Sequence, residues 1–155
     1  MFEQVEAVRF DRFMSNGKTQ PMLLACERHD EAEVEVVAKF SLKCSIGGLI
    51  REAMAAMFAK DILLPVPEPF LVKISAEFVA SIQNAPAVKI FKESSEFGFG
   101  SCRLPNGFAP WIAPDGRMET QLDKEALEIM ALDSWLTNPD RRVSNPNLLR
   151  TCLRS

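Results

Sequence analysis

The residue pattern predicts an α+β chain: an antiparallel sheet with one helix packed on it, then a partial, mainly helical C-terminal part. Three observations carry this. Apolar and polar residues alternate in three short runs within the first 41 residues, each run bounded by turn-formers. A helical period follows at once, over about residues 47 to 60, and a stronger one covers about 121 to 137. The sheet is expected from residues 4 to 41 and 68 to 74.

Taken in order, Val5, Ala7, Phe10 and Phe13 alternate loosely and lead into Ser15-Asn16-Gly17-Lys18-Thr19-Gln20-Pro21, a cluster that reverses the chain. Met22 to Cys26 is the return strand, and Glu27 to Glu31 a charged turn. Val34, Val36, Ala38 and Phe40 alternate against acids as a half-buried strand does. Ser45-Ile46-Gly47-Gly48 opens the helix, with Ile50, Met54, Met57 and Phe58 on one face and Glu52 on another beside Ala55, Ala56 and Ala59. Those small residues let a neighbouring element come close, so a carboxylate there could meet a lysine of the sheet; the alternative is an ordinary solvated glutamate near a helix N-terminus, where negative charge is favourable. Leu64-Pro65-Val66-Pro67-Glu68-Pro69 is too rich in proline for helix and introduces the strand Phe70 to Ile74. A short helix is expected over 75 to 83, then a long irregular connection over 84 to 120 in which Phe97, Phe99, Phe108 and Trp111 pack as apolar side chains. Leu122, Ala126, Ile129, Met130 and Leu136 mark the last helix, which Asn138-Pro139 ends.

Composition narrows the function. A net charge of -3 and a pI near 5.3 argue against a general nucleic-acid binder. Arg141, Arg142, Arg150 and Arg154 form a local basic cluster, open to reading as phosphate-facing or as solvated surface. The four cysteines form no Cys-x-x-Cys pair and the single His29 cannot complete a zinc site with them, which leaves reduced thiols and a cytoplasmic protein as the expectation. No apolar run is long enough for a membrane span, and the acidic N-terminus does not resemble a signal peptide. With one His, no Tyr and no Gly-x-Ser-x-Gly, a Ser-His-Asp hydrolase has nothing to work with; P-loop and dinucleotide glycine motifs are absent too.

Two motifs carry chemistry. Asn138-Pro139-Asp140-Arg141-Arg142-Val143-Ser144-Asn145 sets an acid five residues before an amide after an amphipathic helix, the spacing of a protein-kinase catalytic loop. Val36-Val37-Ala38-Lys39-Phe40 is a strand with one lysine, similar to the kinase signature Val-Ala-Ile-Lys. Together with Gly17 to Pro21, Arg51-Glu52 before an alanine-rich helix, Leu64-Pro65-Val66-Pro67, and Asp133-Ser134-Trp135 running through Asn138 to Leu149, these parts stand in an order that resembles the HipA-like kinases, distant relatives of protein kinases. The resemblance spans nearly the whole chain.

The resemblance implies a single kinase-like domain over 1 to 155, with an N-lobe to about residue 74 and a partial C-lobe from about 75. It implies ATP and Mg2+ as cofactors and Ser or Thr of a protein as substrate. Lys39 would meet nucleotide phosphates and pair with Glu52; Asp140 would be the catalytic base; Asn145 would be a magnesium ligand. Ser15, Asn16, Gly17 and Lys18 would cover the phosphates with backbone N–H groups, and residues near Lys73 to Glu77 would cross between lobes and face adenine. Family members continue into a strand and a second metal-binding Asp, whereas Arg150 to Ser155 contains no acid. The expectation is therefore a truncated domain of weak or no activity alone, whose uncovered C-lobe surface meets a partner protein or a second copy. A non-enzymatic interaction subunit and a small α+β binding protein with structural Lys39 and Asp140 stay open as alternatives.

Overall fold

The structure is a computed structural model and describes residues 2–15, 19–110, 123–136 and 149–151. It divides into two compact units, one of Met1–Ala56 with Pro67–Arg103 and one of Met57–Val66 with Leu104–Ser155.

The first unit is built on five strands: β1 (Glu3–Phe13), β2 (Met22–Glu27), β3 (Glu33–Lys39), β4 (Pro69–Lys73) and β5 (Phe97–Cys102). The mixed α+β class is as the sequence predicts, but the sheet is a closed barrel in the order β1-β2-β3-β5-β4 rather than an open antiparallel one. All neighbours are antiparallel except β4 and β1, which close the barrel in parallel, with Glu3 beside Phe70 and Glu6 beside Lys73. Parallel neighbours need a long connection, and the chain supplies one from β1 to β4 through β2, β3, α1 (Ser41–Cys44) and α2 (Ile46–Asp61).

Strand alternation fills the barrel. Val5, Ala7, Met22, Leu24, Cys26, Val36, Ala38, Phe70 and Val72 belong to one buried cluster, and each large member gains about 1.5–3 kcal/mol by leaving water. On β5 the inward positions are Gly98 and Gly100, both buried. A Cβ on Gly98 would lie 2.5 Å from the Phe40 ring and 2.7 Å from the Lys39 carbonyl oxygen; one on Gly100 would meet Val36 and Val72. Glycine is required because the opposing residues already occupy that space.

The expected irregular stretch over 84 to 120 is corrected here. It contains α4 (Ala85–Glu93), β5 and β6 (Phe108–Pro110). The Asn84 side chain accepts from Ala87 N and Pro86 stands in the first turn, a helix start legible in the sequence. Before it, α3 (Ala76–Ser81) starts at Ser75, whose hydroxyl accepts from Phe78 N. The two helices bring Phe78, Ala87, Ile90 and Phe91 into the barrel's own cluster. Phe91 stands edge-on to Phe40 at 5.0 Å and to Phe78 at 5.5 Å. Phe97 and Phe99, expected to pack, are half-buried on the outer side, where Phe99 meets Phe2 at 5.7 Å; Trp111 lies outside the described residues.

These helices also move the expected boundary. Lys73 to Glu77 lead into α3 instead of crossing between lobes, and the barrel unit ends at Arg103, not near residue 74. There Arg103 N donates to Glu35 O at 2.8 Å and its guanidinium bridges both Glu35 oxygens at 2.9 and 3.0 Å.

In the second unit, β6 pairs antiparallel with β7 (Leu149–Thr151), and α5 (Asp123–Trp135) sets the Trp135 ring edge-on to Phe58 at 4.6 Å. No helix among the described residues is long and apolar enough to cross a membrane.

Candidate functional site

Lys39 is the last residue of β3, and alternation decides where it points. Val36 and Ala38 are wholly buried in the barrel, so Val37 and Lys39 face outward. Across from Lys39 on β5 stands Phe99.

The chain then turns sharply to deliver a carboxylate. Phe40 follows the strand as the N-cap of α1, α1 makes one short turn, and Ser45 takes a φ of +60° that redirects the backbone into α2. The Ser45 hydroxyl accepts from Gly48 N at 3.1 Å and satisfies one of the free donors at the start of α2. Two further bonds fix α1 to the link between α4 and β5: Leu42 N donates to Ser94 Oγ at 3.0 Å, and Ser95 N donates to Ser41 Oγ at 2.8 Å. Both bonds hold the N-terminal end of α1.

On α2 the inner face is the small one. Gly48, Leu49, Glu52, Ala55 and Ala56 are buried or half-buried, whereas Ile46, Ile50, Met54 and Met57 are exposed. Glu52 meets Lys39 there: Nζ lies 2.7 Å from Oε1 and 2.8 Å from Oε2, with the two side chains 29% and 34% exposed. One carboxylate takes two contacts of an ammonium that has three donors, and the lysine keeps access to solvent.

Cys44 is a neighbour that sequence reasoning missed. Its Sγ is 3.8 Å from Glu52 Oε1, and Gly48 leaves the room it needs, since a Cβ there would be 3.0 Å from the sulfur. Burial and then the Glu52 charge lift the thiol above its ordinary value against the lowering effect of Lys39, so it stays protonated and donates. No local spacing announces this contact, because Cys44 and Glu52 sit on different elements.

Of the other residues assigned to the site, Ser15 lies exposed in the bend after β1. Asn16, Gly17, Lys18, Asp140 and Asn145 lie outside the described residues, as do Arg141, Arg142 and Arg154. Among the described residues no three His, Cys, Asp or Glu side chains are grouped to hold a metal ion.

A second charged group is architectural. Arg28, in the turn after β2, binds Glu3 at the start of β1 and Glu68 just before β4, with its guanidinium 5.3 Å from the centre of the Phe70 ring. Hydrogen bonds to Glu3 and Glu68 hold it well above its ordinary pKa. It ties the two strands whose parallel pairing closes the barrel.

A lysine held by a helix carboxylate beside a curved sheet is an arrangement that fixes a point charge for a polyanion. A family model described as HipA-like kinase matches residues 7–153. No curated protein and no solved structure matches the chain.

Proposed function

The chain belongs to the HipA-like kinase family, and from that premise we propose that it binds ATP with Mg2+ and phosphorylates Ser or Thr of a protein. The observation that carries the proposal is the Lys39–Glu52 pair. A lysine on a rigid strand, held at 2.7 Å by a helix carboxylate and partly open to solvent, fits a phosphate oxygen: charge is offered from a fixed position, with little reorganisation when the ligand arrives.

Bound Mg-ATP supplies the transferable phosphoryl group and the divalent charge that neutralises its oxygens. The chain's own residues do the rest. Lys39 offsets phosphate repulsion, and Glu52, helped by Cys44, keeps the ammonium from turning away. Asp140 is assigned to orient the acceptor hydroxyl and receive its proton. Asn145 offers its amide oxygen to the metal, a hard donor suited to magnesium. Ser15 to Lys18 are assigned to cover the phosphates with backbone N–H groups.

Turnover by this chain alone is proposed to be weak, because Asn145 brings one neutral oxygen to an ion that favours a carboxylate. The competing reading is an interaction subunit that keeps the fold without chemistry. A thermal shift with Mg-ATP separates the two: at a hundredfold excess over Kd the nucleotide stabilises by about 2.7 kcal/mol, and Lys39→Ala abolishes the shift while the free protein still unfolds cooperatively, its melting temperature lowered only by loss of the pair with Glu52. Absence of any shift in the unsubstituted chain refutes nucleotide binding. With radiolabelled ATP, transfer is expected to be slow and to vanish in Asp140→Asn; robust transfer overturns the weak-turnover reading.

A further inference from the structure

The outward face of α2 is apolar and exposed. Ile46 is 61% exposed, Ile50 53%, and Met54 and Met57 45% each. Their spacing of four, four and three residues gathers them within an arc of about 80° at 100° per residue. This is a narrow seam of the width used between two helices, not the broad apolar face of a helix lying in a membrane surface. Gly48, Ala55 and Ala56 stand on the side of Glu52, and two isoleucines and two methionines are left in water on the other. Apolar surface so arranged is a mark of an interface.

Charge says what fits. Arg51 and Lys60 flank the seam on its two sides, both exposed, and Lys43 stands exposed in α1 just before it. Among the described residues no carboxylate lies within ion-pairing distance of any of the three. The one acid on the seam is Asp61, at its C-terminal end. A second copy docking through the same face would set these cations against each other with only Asp61 to answer them.

We propose that the outer face of α2 is a docking surface for an amphipathic helix of a partner protein whose apolar seam is flanked by carboxylates. Ile46, Ile50, Met54 and Met57 take the partner's apolar side chains, and Lys43, Arg51 and Lys60 pair with its acids. The surface does not depend on nucleotide binding. It lies on the helix that carries Glu52, with the two functions on opposite faces.

The test is a photo-crosslinking amino acid at position 54 of the full chain, expressed in its own cell, with the adduct mapped by mass spectrometry. The expected adduct is a segment of another protein with apolar residues at three- and four-residue spacing and net negative charge. Arg51→Glu with Lys60→Glu is expected to reduce its yield at least about tenfold, while the melting temperature, a check on folding, stays the same. The proposal is overturned by an adduct with a second copy of the chain, by one with a basic or non-periodic segment, by a yield indifferent to the charge reversal, or by no adduct. Binding of the purified chain to vesicles of phosphatidylcholine and phosphatidylserine that is lost in Ile50→Glu overturns it in favour of a membrane surface.

Discussion

Breaking the Lys39–Glu52 pair tests whether it is a fixed charge or a solvated contact. Nζ approaches the two oxygens at 2.7 and 2.8 Å. At an effective dielectric of about 20 the attraction is about 6 kcal/mol. Most of this is offset. Both groups give up water, two long side chains lose rotamers, and with 29% and 34% of the side chains exposed solvent screens the remainder. A net coupling of about 1–2 kcal/mol is expected, above the usual range for fully exposed pairs and well below that of a buried one. Glu52→Gln, Lys39→Met and the double variant form a cycle that isolates this quantity. The assay is urea unfolding followed by far-UV circular dichroism at low and high salt. Tryptophan fluorescence does not serve, because both tryptophans, Trp111 and Trp135, fall outside the barrel unit. Coupling below about 0.3 kcal/mol, the scatter between independent sites, refutes the reasoning. So does a coupling that 1 M salt erases entirely, since salt screens exposed pairs far more than partly buried ones.

Two further outcomes follow from the packing. Gly98→Ala is expected to destabilise the protein by about 1–3 kcal/mol, because its new methyl would meet the Phe40 ring at 2.5 Å and the Lys39 carbonyl at 2.7 Å; an unchanged urea midpoint removes glycine's assigned reason for being there. Burial pushes the Cys26 thiol up to about 12, against about 8.5 in an unfolded chain. Between those values the unfolded state has lost a proton that the native state keeps. Stability is therefore full below about pH 8.5 and falls by about 1.4 kcal/mol per pH unit above it. Cys26→Ala should flatten that alkaline limb at the cost of about 1 kcal/mol at neutral pH, and parallel limbs in the two proteins would count against it.

The sequence by itself determined the parts whose signal is local. The first three strands follow from two-residue alternation between turn-formers, α3 from its apolar spacing and the helix carrying Glu52 from its period. The outward direction of Lys39 follows from Val36 and Ala38 on either side of Val37. Even the meeting of Lys39 with Glu52 was legible, because only the alanine-rich face of α2 allows close approach. What the tertiary structure decided lies where a residue's meaning depends on a distant partner. Phe97-Gly98-Phe99-Gly100 looks like loop until Phe40, Val36 and Val72 are found in the space a side chain would take; glycine carries no apolar signal, so β5, and with it closure of the barrel, stayed hidden. The parallel seam between β1 and β4 joins residues 67 positions apart, and Arg28 reaches both strands only once they are adjacent. Apolar periodicity likewise marked Ile50 and Met54 as one face of α2 but could not say that this face points to water. In the tertiary structure Glu52 pairs with Lys39 on one side of α2, and Ile46, Ile50, Met54 and Met57 are left exposed on the other.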